Sequence, residues 1–66
     1  MKLIVNGETL EISNVETLQE LLKELQIEPG RVAVEINLSI VKKAEYSTFR
    51  LNEGDKVEIV NFVGGG

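Results

Sequence analysis

The chain has 66 residues and a formal net charge of −4, from eleven acidic and seven basic side chains. A chain this short forms one small domain that buries only about 60% of the surface its unfolded form exposes, and its acidity argues against nucleic acid, whose phosphates must be neutralised by Lys and Arg. It contains no cysteine, histidine or tryptophan. Disulfides and thiolate metal sites are therefore excluded, the commonest general base and metal ligand are missing, and an active site inside the domain is not expected.

Lys2-Leu3-Ile4-Val5 is rich in strand formers and is followed by Asn6-Gly7, a strong two-residue hairpin signal. Glu8–Ile12 then alternates with period two, which puts Leu10 and Ile12 on one face. Over Val15–Leu25, Leu18, Leu21, Leu22 and Leu25 recur at helical spacing and form one apolar stripe, read as core. Two capping boxes compete for the helix start, Ser13 with Glu16 and Thr17 with Glu20. Thr17 is favoured because the leucine stripe begins directly after it, and Pro29-Gly30 closes the segment.

Arg31–Ile36 reads as a third strand with a central position, Asn37 as a turn, and Leu38–Val41 as a short strand. Lys42–Phe49 is irregular or carries a brief helical turn, Asn52-Glu53-Gly54-Asp55 is a turn, and Lys56–Phe62 is the last strand. Along that strand Val57 and Ile59 share one face while Val60 and Phe62 share the other. The order β-β-α-β-β-β argues for an α+β domain rather than a doubly wound parallel sheet. The expected architecture is the β-grasp, or ubiquitin-like, plan: a mixed sheet over residues 1–63 with one helix packed on one face. Its predicted core sets the leucine stripe against Leu3, Val5, Leu10, Ile12, Val34, Val57 and Ile59. Residues 64–66 form a flexible glycine tail.

Gly64-Gly65-Gly66 is the feature that points to chemistry. Without Cβ atoms, such a stalk can enter a channel too narrow for other residues and offer a terminal carboxylate to another protein's active site. A frayed end is the bland alternative. No apolar run is long enough to span a membrane, and the basic and apolar regions of a signal peptide are missing; a cytoplasmic protein is the expectation.

Several fragments, taken in this order, resemble the ThiS family of sulfur carriers in thiamine thiazole synthesis. They are Asn6-Gly7, Thr17-Leu18-Gln19-Glu20-Leu21-Leu22, Val32-Ala33-Val34-Glu35-Ile36-Asn37, Val41-Lys42-Lys43-Ala44-Glu45-Tyr46, Gly54-Asp55-Lys56-Val57-Glu58-Ile59-Val60 and the final glycines. Lys42 stands where the resemblance leads one to expect proline, and Glu35 and Leu38 are also unlike the family pattern around Asn37. The resemblance implies a carrier that is not itself an enzyme and binds no cofactor. A ThiF-type adenylating enzyme, using ATP and magnesium, would activate the Gly66 carboxylate. A cysteine desulfurase persulfide route would supply sulfur, and a ThiG-type thiazole synthase would consume the resulting thiocarboxylate.

Within that scheme Gly64 and Gly65 are the residues read by the partner's channel. Val60 and Phe62, together with Ile4, are candidates for a docking patch on the sheet face opposite the helix. Against this stands simple coverage of that patch by Tyr46 or the Lys42–Phe49 segment. Two other functions share the fold: a small subunit of molybdopterin synthase, which also carries a thiocarboxylate, and a ubiquitin-like modifier joined to protein lysines. An interaction module with an incidental glycine tail is a third.

Overall fold

The computed structural model describes residues 1–62. Strands β1 (Lys2–Val5), β2 (Glu8–Glu11), β3 (Val32–Ile36), β4 (Ser39–Val41) and β5 (Lys56–Asn61) form one five-stranded sheet in the order β2-β1-β5-β3-β4. Helix α1 (Leu18–Glu24) lies across one face, and 3-10 turns occupy Pro29–Arg31 and Lys43–Glu45. This is the mixed sheet with one main helix that the order of elements predicts. All pairs are antiparallel except β1–β5, which is parallel and registers only Ile4 with Lys56 and Val5 with Val57.

Both hairpins turn through two residues, between the paired Val5 and Glu8 and between the paired Ile36 and Ser39. Asn6 and Gly7 have φ of 48° and 83°, the left-handed angles that suit the twist of the flanking strands. Asn37 and Leu38 use the same region, at 52° and 73°. Asn accepts it readily, whereas a leucine there is strained.

Leu18, Leu21 and Leu22 of α1 are fully buried, as are Leu3, Val32, Val34 and Val57 of the sheet. Leu25 caps the C-terminal end of the helix and packs at the core margin, so the predicted stripe is buried over its first three members and half-buried at its last. Thr17 is the N-cap: its hydroxyl accepts from the Glu20 N–H at 3.2 Å, and the Glu20 carboxylate accepts from the N–H groups of Thr17 and Glu16. The two remaining N–H groups of the first turn are met from elsewhere in the chain. Leu18 N–H donates to the Phe49 carbonyl and Gln19 N–H to the Tyr46 carbonyl, both at 2.9 Å.

That contact explains residues 42–51, which the sequence leaves irregular. Tyr46 and Leu51 are buried, and the Tyr46 hydroxyl donates to the Val32 carbonyl at 3.4 Å. Tyr46 therefore seals the helix side of the sheet, and the idea that it covers Val60 and Phe62 is set aside. Burial of its phenol pushes its pKa above the ordinary value.

Among the described residues Asp55 is the one buried charge, and it is fully engaged. Its carboxylate accepts from Asn37 Nδ2 at 2.9 Å and from the Asn52 N–H at 2.8 Å. Asn37 in turn donates its N–H to the Lys56 carbonyl at 2.8 Å and accepts the Lys56 N–H on Oδ1 at 3.0 Å. The β3–β4 turn, the turn before β5 and the first residue of β5 are thereby one hydrogen-bonded unit. No helix of the described residues is long and apolar enough to cross a membrane.

Three outcomes follow from these local observations. Thr17→Ala should cost about 1 kcal/mol, read as a lowered midpoint in urea. Main-chain donors from Glu16 and Thr17 hold the Glu20 carboxyl below its ordinary 4.5. Because the folded-state value is the lower one, this stabilisation is complete above that pH and is lost on acidification through the folded-state pKa. The gap in stability between the parent chain and Glu20→Gln should thus be present at neutral pH and shrink in acid. At the strained turn, Leu38→Gly should raise stability by about 1 kcal/mol in the same denaturation assay.

Candidate functional site: the open sheet face and the end of strand β5

Alternation assigns each strand residue to one of two faces. Leu3 and Val5 of β1, Val32, Val34 and Ile36 of β3, Val41 of β4 and Val57 of β5 are buried beneath α1. The opposite face is uncovered. Ala33 pairs there with Val60, Glu35 pairs with Glu58, and Ile40 lies beside Glu35 on the other flank of β3. Val60 is 61% exposed, Phe62 54%, Ile40 76% and Leu38, in the strained turn, 88%. Four large apolar side chains in solvent on so small a protein are the pattern of an interaction surface. Glu35 opposite Glu58 adds a like-charge pair, an arrangement that costs stability in a sheet.

Of the residues expected to form a docking patch, Val60 and Phe62 do share this open face near the end of β5. Ile4 is on the same face but half-buried, and its register partner is Lys56. Four residues of strand separate Lys56 from Val60, roughly 13 Å at 3.3 Å per residue. The structure therefore sets Ile4 apart from the other two. Phe62 is partly covered after all, though by Lys43 rather than by Tyr46: the Lys43 ammonium lies 4.8 Å from the centre of its ring. Ile40 and Leu38 were missed as exposed apolar residues. The inward-facing Val41 beside Ile40 is the signal that could have revealed the former.

Strand β5 delivers the chain towards the glycines, and two neighbours set its course. On the β3 side, pairing continues to Asn61 opposite Val32, and the Phe62 N–H donates to the Arg31 carbonyl at 2.9 Å. On the β1 side, Asn6 brackets the strand. Its N–H donates to the Val57 carbonyl at 2.8 Å, and its side-chain Oδ1 accepts the Ile59 N–H at 2.7 Å. The Asn6 amide thus stands in for the next main-chain acceptor, and prolongs the short β1–β5 ladder past the point where β1 turns away. Sequence alone assigns Asn6 to the turn and gives no hint of this second role. Gly64, Gly65 and Gly66, the expected site of chemistry, lie outside the described residues, as does Val63.

Among the described residues no cluster of three or more carboxylates could hold a metal ion. What this arrangement can do is present: an apolar surface, ringed by charge, next to a strand that is followed in the sequence by a glycine run.

Comparison with known proteins agrees with this description. Residues 3–66 match the ThiS family. The chain is similar to the sulfur carrier protein ThiS of Bacillus subtilis, with 46% identity over 50 residues, 76% of each chain. It is 50% identical over all 66 residues to a thiazole synthase of Paramagnetospirillum magneticum and 41% to one of Magnetococcus marinus. The chain spans only 20% of the length of those two synthases. Among solved structures, the crystal structure of the thiamine biosynthesis protein ThiS from Geobacter metallireducens superposes with a TM-score of 0.84 at 32% identity, covering all of both chains.

Replacing Asn6 by Ala should cost about 1–2 kcal/mol, from the lost acceptor and the left-handed backbone together. Amide exchange would show where the cost falls: the Ile59 N–H should lose protection, while that of Phe62, bonded to β3, should keep more of its own.

Proposed function

The chain belongs to the ThiS family, and on that premise we propose that it is a sulfur carrier for thiamine thiazole synthesis, acting as a co-substrate of partner enzymes. The observation that carries this reading is that the family match runs through Gly66, the residue on which the chemistry would take place. The bracketed β5 strand supports it, since a central strand gives the tail a rigid base.

In this scheme a carboxylate at Gly66 is the acceptor. A ThiF-type enzyme holding ATP and magnesium catalyses attack of that carboxylate on the α-phosphorus. Pyrophosphate leaves and an acyl-adenylate forms. This activation is needed because a carboxylate oxygen is a poor leaving group and AMP is a good one. Persulfide sulfur from a cysteine desulfurase route then attacks the acyl carbon and displaces AMP. Cleavage of the resulting S–S bond by a thiol leaves a thiocarboxylate at Gly66, whose nucleophilic sulfur goes to a thiazole synthase. With no cysteine in the chain, the terminal carboxylate is the covalent handle for sulfur.

Val63–Gly66 fully extended would span roughly 13 Å, a length suited to a buried partner site. Gly64 and Gly65 offer main-chain groups to the walls of that channel, a recurring way of capturing a chain end. Val60 and Phe62 would form the apolar ground on which the partners rest, with Ile40 as a neighbour on the same face.

The decisive experiment is intact mass spectrometry after incubation with a ThiF-type enzyme, ATP, magnesium and a persulfide donor. The expected change is one oxygen replaced by one sulfur, localised to Gly66. Deleting Gly66 should abolish the change with the unfolding midpoint unaltered, and Gly65→Ala should slow it. A shortened chain that still gains sulfur would defeat the reading, and adducts on protein lysines would favour a modifier instead.

A further inference from the structure

The end of the open face nearest the tail is charged differently from the protein as a whole. Lys43 is held over the Phe62 ring, with its ammonium 4.8 Å from the ring centre, a contact that positions a cation without neutralising it. Lys42 follows the buried Val41 on extended backbone, with φ −73° and ψ 146°. Alternation therefore turns it to the open face, one step beyond the Val34–Val41 pair and beside the paired Ala33 and Val60. Arg31 arrives from a third stretch of chain, its carbonyl bonded to the Phe62 N–H at 2.9 Å.

Lys43 at the ring, Lys42 on the same face and the Arg31 main chain bonded to Phe62 thus bring three of the seven basic residues to this end of the sheet in a chain of net charge −4. Among the described residues only Arg31 of the three has an ion-pair partner, Glu28 at 3.4 Å. Both of those side chains are well exposed, so the pair is weak.

We propose that Lys42 and Lys43, with Arg31 beside them, form a basic collar around the root of the tail that docks against an acidic rim on the protein receiving that tail. The inference rests on the carrier reading and adds the chemistry of the docking partner. Complementarity of charge argues for a protein rim as occupant. The collar stands at the tail's base, and roughly 13 Å of extended chain separates it from a nucleotide joined to Gly66. It therefore meets the mouth of the partner's channel rather than its floor. Charges arranged in this way orient the carrier during encounter, before any apolar contact forms.

The test compares Lys42→Glu/Lys43→Glu with Lys2→Glu/Lys23→Glu, which has the same net charge with both changes remote from Phe62. Adenylation by the ThiF-type enzyme is followed by ATP–pyrophosphate exchange, with carrier and ATP varied separately, in low salt and at about 0.5 M NaCl. At low salt the collar variant should show a KM for the carrier raised about tenfold, with kcat at saturating carrier unchanged. The remote variant should resemble the parent, and high salt should erase the difference. Milder Lys→Gln changes at both positions should give an intermediate KM. Equal KM values for the two charge-reversed variants, or a difference insensitive to salt, would overturn the collar while leaving the carrier reading in place. A change in the KM for ATP rather than for the carrier would reassign the cations to nucleotide phosphates and overturn the acidic rim. If the parent chain itself supports no exchange, the carrier reading falls, and the collar with it.

Discussion

Strand β5 is the last element in sequence and the middle one in space, inserted between β1 and β3. On one side it has an antiparallel ladder of five registered pairs, and on the other only two. Polar groups hold both of its ends: Asp55 and Asn37 fix the entry to the strand from the β3 side, and on the weak side the Asn6 amide fixes Ile59 beyond the last parallel pair. Without the Asn6 amide the strand would be anchored mainly along its β3 edge. The direction in which the chain leaves the sheet depends on both edges.

The helix depends on the same economy of means. Seven residues are too few for a stable isolated helix in water, so α1 exists because its leucines are buried and its first turn is satisfied. Thr17 meets one of the orphan N–H groups, while the carbonyls of Tyr46 and Phe49 meet two more. Residues 42–51 are thus a second capping device as well as a connection. They anchor Tyr46 and Leu51 under the helix while leaving Lys42 and Lys43 at the open face. One irregular segment closes the core on one side of the sheet and supplies charge to the other.

Local rules located most of the fold. Asn6-Gly7 announced the first hairpin, the leucine spacing gave α1, and Thr17 rather than Ser13 proved to be the cap. Boundaries shifted slightly where hydrogen bonding rather than apolar pattern decides: Arg31 ends a 3-10 turn, and β2 stops at Glu11. Long-range polar contacts were not legible. Asn6 lies 53 positions from its partner Ile59, and nothing in the hairpin motif marks that amide as an acceptor for another strand. Tyr46 was misplaced for a similar reason, because an isolated tyrosine in an irregular stretch has no periodicity to assign it a face. The exposed pair Val60 and Phe62 could be placed by alternation, whereas the convergence of residues 31, 43 and 62 requires the sheet order.

The central position of a last strand has a consequence for how the molecule comes into being. During synthesis the β1–β2 and β3–β4 hairpins emerge first, and a two-stranded hairpin alone is marginal in water. The sheet closes only when β5 has left the ribosome and slid between them, so folding of the domain waits on its last strand. Whatever follows β5 in the chain is thus joined to a strand that both neighbouring hairpins must accept before the domain exists.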